Sequence, residues 1–228
     1  NPDDQEGRRI DISIAVLKAR TANPAPDPVF FFAGGPGQSA IDLLIQQQHL
    51  FSELVKRRDI VFVDQRGTGR SNALTCDIED PTETVIEDEQ VLELVRQCLE
   101  QLPGDPRFYA TRHALPDFDA VRTALGYEQI NLMGGSYGTR VAQEYLRKYP
   151  LQVRSIILDS IAYPEDILGT EHSRNLTAAL FKVVEKCHAQ ASCREAFPDL
   201  QSALTSYLEM DIKAVRTVEF RQIGRAHV

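Results

Sequence analysis

One stretch carries the residue types for covalent chemistry: Gly134-Gly135-Ser136-Tyr137-Gly138. It is the G-x-S-x-G form of a nucleophile elbow. The apolar run Ile130-Asn131-Leu132-Met133 leads into it, and an amphipathic pattern with Val141, Ala142, Tyr145, Leu146 and Tyr149 on one side follows it. A serine on a sharp strand-to-helix turn has strained backbone angles, so its neighbours must be small. Gly134 and Gly138 let the two backbones approach each other. The helix that follows aims unsatisfied N–H groups and its positive dipole end at the Ser136 hydroxyl. The chemistry implied is acyl transfer to serine.

Acyl transfer also needs oxyanion donors and a base oriented by an acid. One donor is expected to be the backbone N–H of Tyr137, the residue after the nucleophile. The second is expected from Gly34-Gly35-Pro36-Gly37, which directly follows the apolar run Val29 to Ala33. Gly35 is the chosen amide, because glycine leaves the approach to the N–H open, and Gly34 is a candidate to line the site. A third motif, Asp64-Gln65-Arg66-Gly67-Thr68-Gly69-Arg70-Ser71, has glycines and arginines but lacks the spacing and lysine of a phosphate loop. The expectation is an Asp64–Arg66 pair that fixes this loop, with Gln65 or Arg66 lining the pocket.

The base is harder to place. The expected order is Ser, then Asp or Glu, then His. His172, His188 and His227 follow Ser136, and none comes after an expected core strand. The catalytic acid and histidine are therefore expected outside this sequence, and the 228-residue chain is expected to be inactive by itself.

The positioning elements alternate in type. Arg9 to Ala19 alternates apolar and polar residues as a half-buried strand does. Residues 29–33, 59–63, 130–135 and 153–159 read as strands buried on both faces. Helices are expected at Leu43 to Lys56, Glu89 to Leu102, Pro116 to Leu125 (with Pro116 in its first turn and Gly126 at C′), and from the elbow to Tyr149. The Glu89 helix carries Val91, Val95, Cys98 and Leu102 on one stripe. Alternation of this kind means an α/β fold with a mostly parallel sheet and helices on both faces. Residues 1–160 are expected to form this core, its C-terminal strands missing, and residues 161–215 the start of a helical cap.

Composition narrows the function classes. A net charge of −8 argues against nucleic acid or an anionic membrane as partner. No apolar run is long enough to span a bilayer. No cofactor is expected, and no C-x-x-C spacing suggests a metal site. Four cysteines allow three pairings, of which the sequential one, Cys76–Cys98 and Cys187–Cys193, is geometrically simplest. Two disulfides would place the protein outside the cytoplasm; four free thiols would fit a cytosolic one. The last six residues, 223–228, match the translation of a sequencing adapter and are expected to be non-native, which would make the chain a fragment cut at both ends.

Taken together and in order, Gly34-Gly35-Pro36-Gly37, the Asp64 to Ser71 motif and Gly134 to Arg140 resemble the proline iminopeptidase and tripeptidyl aminopeptidase branch of the α/β-hydrolase superfamily. The likeness covers roughly residues 9 to 160. It implies an α/β-hydrolase fold and a serine peptidase that removes residues from peptide N-termini. It also implies a helical cap after Asp159, whose carboxylates hold the substrate's free amino group; Glu165 and Glu171 are the early candidates. Iminopeptidases usually carry histidine before the glycine cluster, and here the residue is Ala33. That departure moves the chain toward the broader exported, cysteine-containing group. Two alternatives stand: a carboxylesterase for small acyl esters, and a non-catalytic binding protein on the same fold. The oligomeric state is not legible.

Overall fold

Two four-residue runs set the centre of the molecule: Val29–Phe32 (β2) and Ile60–Val63 (β3) are buried at every position. They pair in parallel, and β2 pairs in parallel with Ile130–Gly135 (β4) on its other side. Ile14–Leu17 (β1) runs antiparallel to β3, and Val153–Asp159 (β5) runs parallel to β4. The sheet order is β1-β3-β2-β4-β5. This computed structural model describes residues 9–76, 88–165 and 171–209. The expected adapter-like tail at 223–228 lies outside the described residues.

The two-residue period of a strand sends alternate side chains to opposite faces, and each face has its own core. Val29, Phe31, Ile60 and Phe62 pack with Ala40 and Ile41 of helix α1 (Ala40–Gln47) and with Phe51 and Val55 beyond it. The Phe31, Phe51 and Phe62 rings meet at centroid distances of 4.9 to 5.6 Å. Phe30, Phe32, Val61, Val63, Ile130 and Leu132 face the other way. They pack against Phe118 and Val121 of α3 (Thr111–Ala124) and Val141, Ala142 and Tyr145 of α4 (Tyr137–Lys148). Each fully buried side chain of this size contributes about 1.5–3 kcal/mol. The remaining helix of this part, α2 (Asp88–Gln101), is joined through Cys98 to Cys76, with a Cα–Cα distance of 5.2 Å.

Several expected boundaries move, each for a local reason. The expected helix from Leu43 to Lys56 begins earlier, because Ser39 caps it by accepting from the Asp42 amide at 3.0 Å. It also ends earlier: 3-10 turns at Gln48–Phe51 and Leu54–Lys56 replace its second half and bury Phe51 and Val55. Helix α3 begins at Thr111, so Pro116 sits inside it rather than in its first turn. Burial of Ala114 and Leu115 in the turn before the proline outweighs the lost backbone bond. Gly126 does follow the C-cap Leu125 with φ +77°. Strand β5, expected to be buried on both faces, is largely exposed, since β4 is its one partner among the described residues. Val95 of α2 is likewise exposed.

Carboxylates fasten the lower end of the sheet. Asp27, just before β2, accepts from Asn131 Nδ2 of β4 at 2.8 Å and from Arg58 Nε at 3.1 Å. Burial works against ionisation at Asp27, but the Asn131 amide and the Arg58 guanidinium outweigh it and hold the carboxyl below the ordinary carboxylate value. Asp59, just before β3, accepts from Lys18 Nζ at 2.7 Å and from the Ala19 amide at 2.8 Å. Its burial too is outweighed, by the Lys18 ammonium and the Ala19 amide, and its carboxyl also stays low.

The chain divides into two units, one ending at Pro164 and the other beginning at Glu165. The described part of the second is helical: α5 (His172–Ala189), α6 (Ala191–Ala196) and α7 (Leu200–Glu209). Cys187–Cys193 joins the end of α5 to α6, with a Cα–Cα distance of 5.1 Å. Both expected disulfides are therefore formed. No helix among the described residues is long and apolar enough to cross a membrane.

Candidate active site

Strand order determines where a site can form. The connection from β2 leads to β3 on one side, and β4 lies on the other, so a crevice opens between the carboxyl ends of β2 and β4. The register pairs Phe32 with Gly134. Two residues further along each strand come Gly34 and Ser136, so these two must be neighbours. They are: a Cβ built on Gly34 would lie 3.5 Å from the Ser136 Cβ.

Ser136 sits on a sharp bend, with φ 52° and ψ −122°, and is exposed. That conformation is costly for a residue with a side chain, by about 1–3 kcal/mol, and persists only where its surroundings fix it. The fixing contacts are backbone bonds: the Ser136 amide donates to the Asp159 carbonyl at 2.9 Å, and the Thr139 amide donates to the Ser136 carbonyl at 2.9 Å. Gly138 brings α4 against β2 so closely that a Cβ there would meet the carbonyls of Phe32 and Ala33. A Cβ on Gly134 would meet the Gly138 carbonyl in the same way. Tyr137 is the first residue of α4, and first-turn amides have no acceptor within their own helix.

Across the crevice, the Gly34 amide donates to Gln38 Oε1 at 3.1 Å. Gly35 has φ +104°, and a Cβ on it would sit 2.6 Å from the Gly37 nitrogen, so only glycine fits. A small cavity of about 20 Å³, large enough for one water, lies beneath this corner. Gly34, Gln38, Gln65, Phe118 and Tyr137 are among its walls. The Tyr137 hydroxyl lies 2.6 Å from Thr111 Oγ1, and Gln65 Nε2 donates to it at 3.4 Å.

The Asp64 to Ser71 motif is built differently from expectation. Asp64 is fully buried and does not pair with Arg66. Its Oδ1 accepts from Ser39 Oγ at 2.8 Å and from the Ile41 amide at 3.1 Å, and its Oδ2 accepts from the Arg70 amide at 3.0 Å. One carboxylate thus ties the start of α1 to the loop after β3. Arg66 forms a two-pronged bond to Asp117 of α3 at 2.6 and 2.7 Å and also donates to the Phe108 carbonyl. Arg66 is thus held in the scaffold, and Gln65 and Gly34 are among the walls of the small cavity. Helix α4 is held to α3 by Tyr145, whose hydroxyl donates to Asp119 Oδ1 at 2.9 Å. Burial, then the hydrogen bond to Asp119, pushes this phenol well above its ordinary value, so it stays protonated.

Glu165 and Glu171 belong to the second unit, and Glu171 pairs with Arg174. His172 opens α5 and His188 is near its end, both in the second unit; His227 lies outside the described residues. Ser39, Asp117, Thr111 and Thr139 escaped the sequence reading. Only Ser39 carried a local signal, a serine three residues before Asp42 at the head of an apolar run.

Comparison with known proteins identifies the fold family. The model of the alpha/beta hydrolase fold family matches residues 27–181, and the chain belongs to that family. It is 30% identical over 180 residues to the serine protease Hip1 of Mycobacterium tuberculosis, covering 70% of this chain and 35% of that protein. It is 25% identical over 178 residues to the tripeptidyl aminopeptidase of Streptomyces lividans, covering 69% and 33% respectively. The crystal structure of a proline iminopeptidase from Mycobacterium smegmatis superposes with a TM-score of 0.52 at 18% identity, covering 95% of this chain and 66% of that one. The chain spans about a third of the length of these two curated relatives.

Proposed function

We propose that this chain carries the nucleophile of a serine hydrolase, an aminopeptidase that releases residues from peptide N-termini through an acyl-enzyme. The observation that carries this is the bend at Ser136 set beside Gly34, with the first amide of α4 on one side and the glycine corner on the other. Ser136 Oγ attacks the scissile carbonyl carbon and gives its proton to a base. The tetrahedral oxyanion is held by the Tyr137 and Gly35 amides. The amine leaves with a proton, and water then hydrolyses the ester. We assign the acid and histidine to the full-length protein beyond these residues, so the 228-residue chain by itself should be poorly reactive. The second unit is read as part of a cap, with Glu165 or Glu171 as candidates for the substrate's amino group. Two disulfides support an exported protein.

The peptidase assignment draws on the named activities of Hip1 and the tripeptidyl aminopeptidase. Aminoacyl amides and simple acyl esters, assayed in parallel on the full-length protein, test it. Release from the amides is expected. Turnover of esters alone would replace the peptidase with a carboxylesterase, and turnover of neither would favour a binding protein.

A further inference from the structure

Helix α4 grips the segment after β5 in a way that nucleophile positioning by the backbone does not require. Thr139 is fully buried, at 0% exposure. Its Oγ1 donates to the Ser136 carbonyl at 2.6 Å and accepts from the Ala162 amide at 2.8 Å. The direction is unambiguous, because the Ala162 N–H can only donate and the carbonyl can only accept. One turn along α4, Gln143 Nε2 donates to the Ala162 carbonyl at 3.0 Å and to the Thr139 carbonyl at 3.0 Å. Arg140 Nη2 donates to the Pro164 carbonyl. Both backbone groups of Ala162 are thus held by α4, three residues before the second unit begins.

We propose that Thr139 is a positioning residue for the nucleophile, its hydroxyl linking the Ser136 carbonyl to the strap at residues 162–164. This rests on the reading of Ser136 as nucleophile. The bend at Ser136 is strained and must be fixed from outside. Two donors converge on its carbonyl, the Thr139 amide and the Thr139 hydroxyl, and only the hydroxyl also reaches the strap. Removing the hydroxyl leaves the Ser136 carbonyl with the amide alone and the Ala162 amide without its acceptor. The oxygen of the nucleophile should then sample more positions, which slows attack without weakening the binding of a small acylating probe.

Thr139→Val and Thr139→Ser in the full-length protein test the proposal, with two readouts. Fluorophosphonate acylation gives a maximal rate and a probe-binding constant separately. Hydrogen exchange at the Ala162 amide reports the strap whether or not the protein is active. Thr139→Val should acylate about tenfold more slowly, the equivalent of one buried hydrogen bond, with unchanged probe binding. Its Ala162 amide should exchange faster, and Thr139→Ser should restore both. If Thr139→Val does not fold, Thr139→Ser against Thr139→Ala makes the same comparison, since they differ only in the hydroxyl. Wild-type acylation in Thr139→Val, or a serine variant as slow as the valine one, overturns the proposal. If the wild type itself is not acylated, the nucleophile assignment fails instead. Unchanged Ala162 exchange in Thr139→Val still refutes the link in that case.

Discussion

Adding a single methyl group at Gly138 should separate the packing account from a general intolerance of change at the elbow. In Gly138→Ala the new Cβ would lie 2.7 Å from the Ala33 carbonyl oxygen and 2.7 Å from the Phe32 carbonyl carbon. Comfortable carbon–oxygen contacts begin at about 3.3 Å. These neighbours are backbone atoms at the end of β2, the central strand, and of the residue after it, so they cannot rotate away; α4 must retreat instead. Overpacking of this kind costs about 1–3 kcal/mol. Alanine's helix preference over glycine returns at most about 1 kcal/mol, and less in a first turn. The net loss is about 0.5–2.5 kcal/mol, or roughly a 1–10 °C fall in melting temperature for a chain of this size. Because α4 carries the elbow, Ser136 moves off the glycine corner as well, and acylation of the full-length protein should fall by about 100-fold. Gly135→Ala is the control. It directly follows the constrained Gly134, yet a Cβ there meets nothing within 4 Å, and its φ is not positive. Its melting temperature should hold or rise. Thermal melts read by circular dichroism decide the matter. A wild-type melt for Gly138→Ala, or equal damage from Gly135→Ala, would refute the reasoning.

Three further outcomes follow from the structure. Asp117→Ala strands the Arg66 guanidinium, which is 8% exposed, and should destabilise by about 2–4 kcal/mol in urea melts; a change under about 1 kcal/mol would mean the bond is screened by solvent. Asp27 and Asp59 are held below the ordinary carboxylate value of 3.8. Their contribution is complete above that pH and is lost as pH falls from 3.8 through the lower folded values, so melts between pH 7 and 3 should decline at the acid end. Asp27→Asn should flatten that decline, and an unchanged slope would locate the sensitivity elsewhere. Thiol titration of denatured, unreduced protein should find no free thiol and, after reduction, four; four before reduction would contradict both disulfides.

The parts legible in the sequence are those fixed by neighbours along the chain. Val29–Phe32 and Ile60–Val63 read as buried strands because every position is apolar, and the elbow reads from Gly134 to Gly138 because sterics there act over five residues. The register that sets Gly34 beside Ser136 is a long-range property, but strands that end in glycine clusters made it a reasonable expectation. The missed features depend on partners far away in sequence. Arg66 has an acid two residues away, Asp64, yet bonds another 51 residues on, Asp117. Asp64 is drawn instead into the cap of α1. Pro116 looked like a helix start, and burial of Ala114 and Leu115 overrode it. Thr139 gave no signal, since its role appears only when the segment after β5 lies against α4.

Mass-spectrometric mapping of a fluorophosphonate adduct on the full-length protein tests the central claim most directly. The account predicts an adduct on Ser136, and none in Ser136→Ala at unchanged melting temperature. An adduct on a different serine, or full labelling of Ser136→Ala, would contradict it.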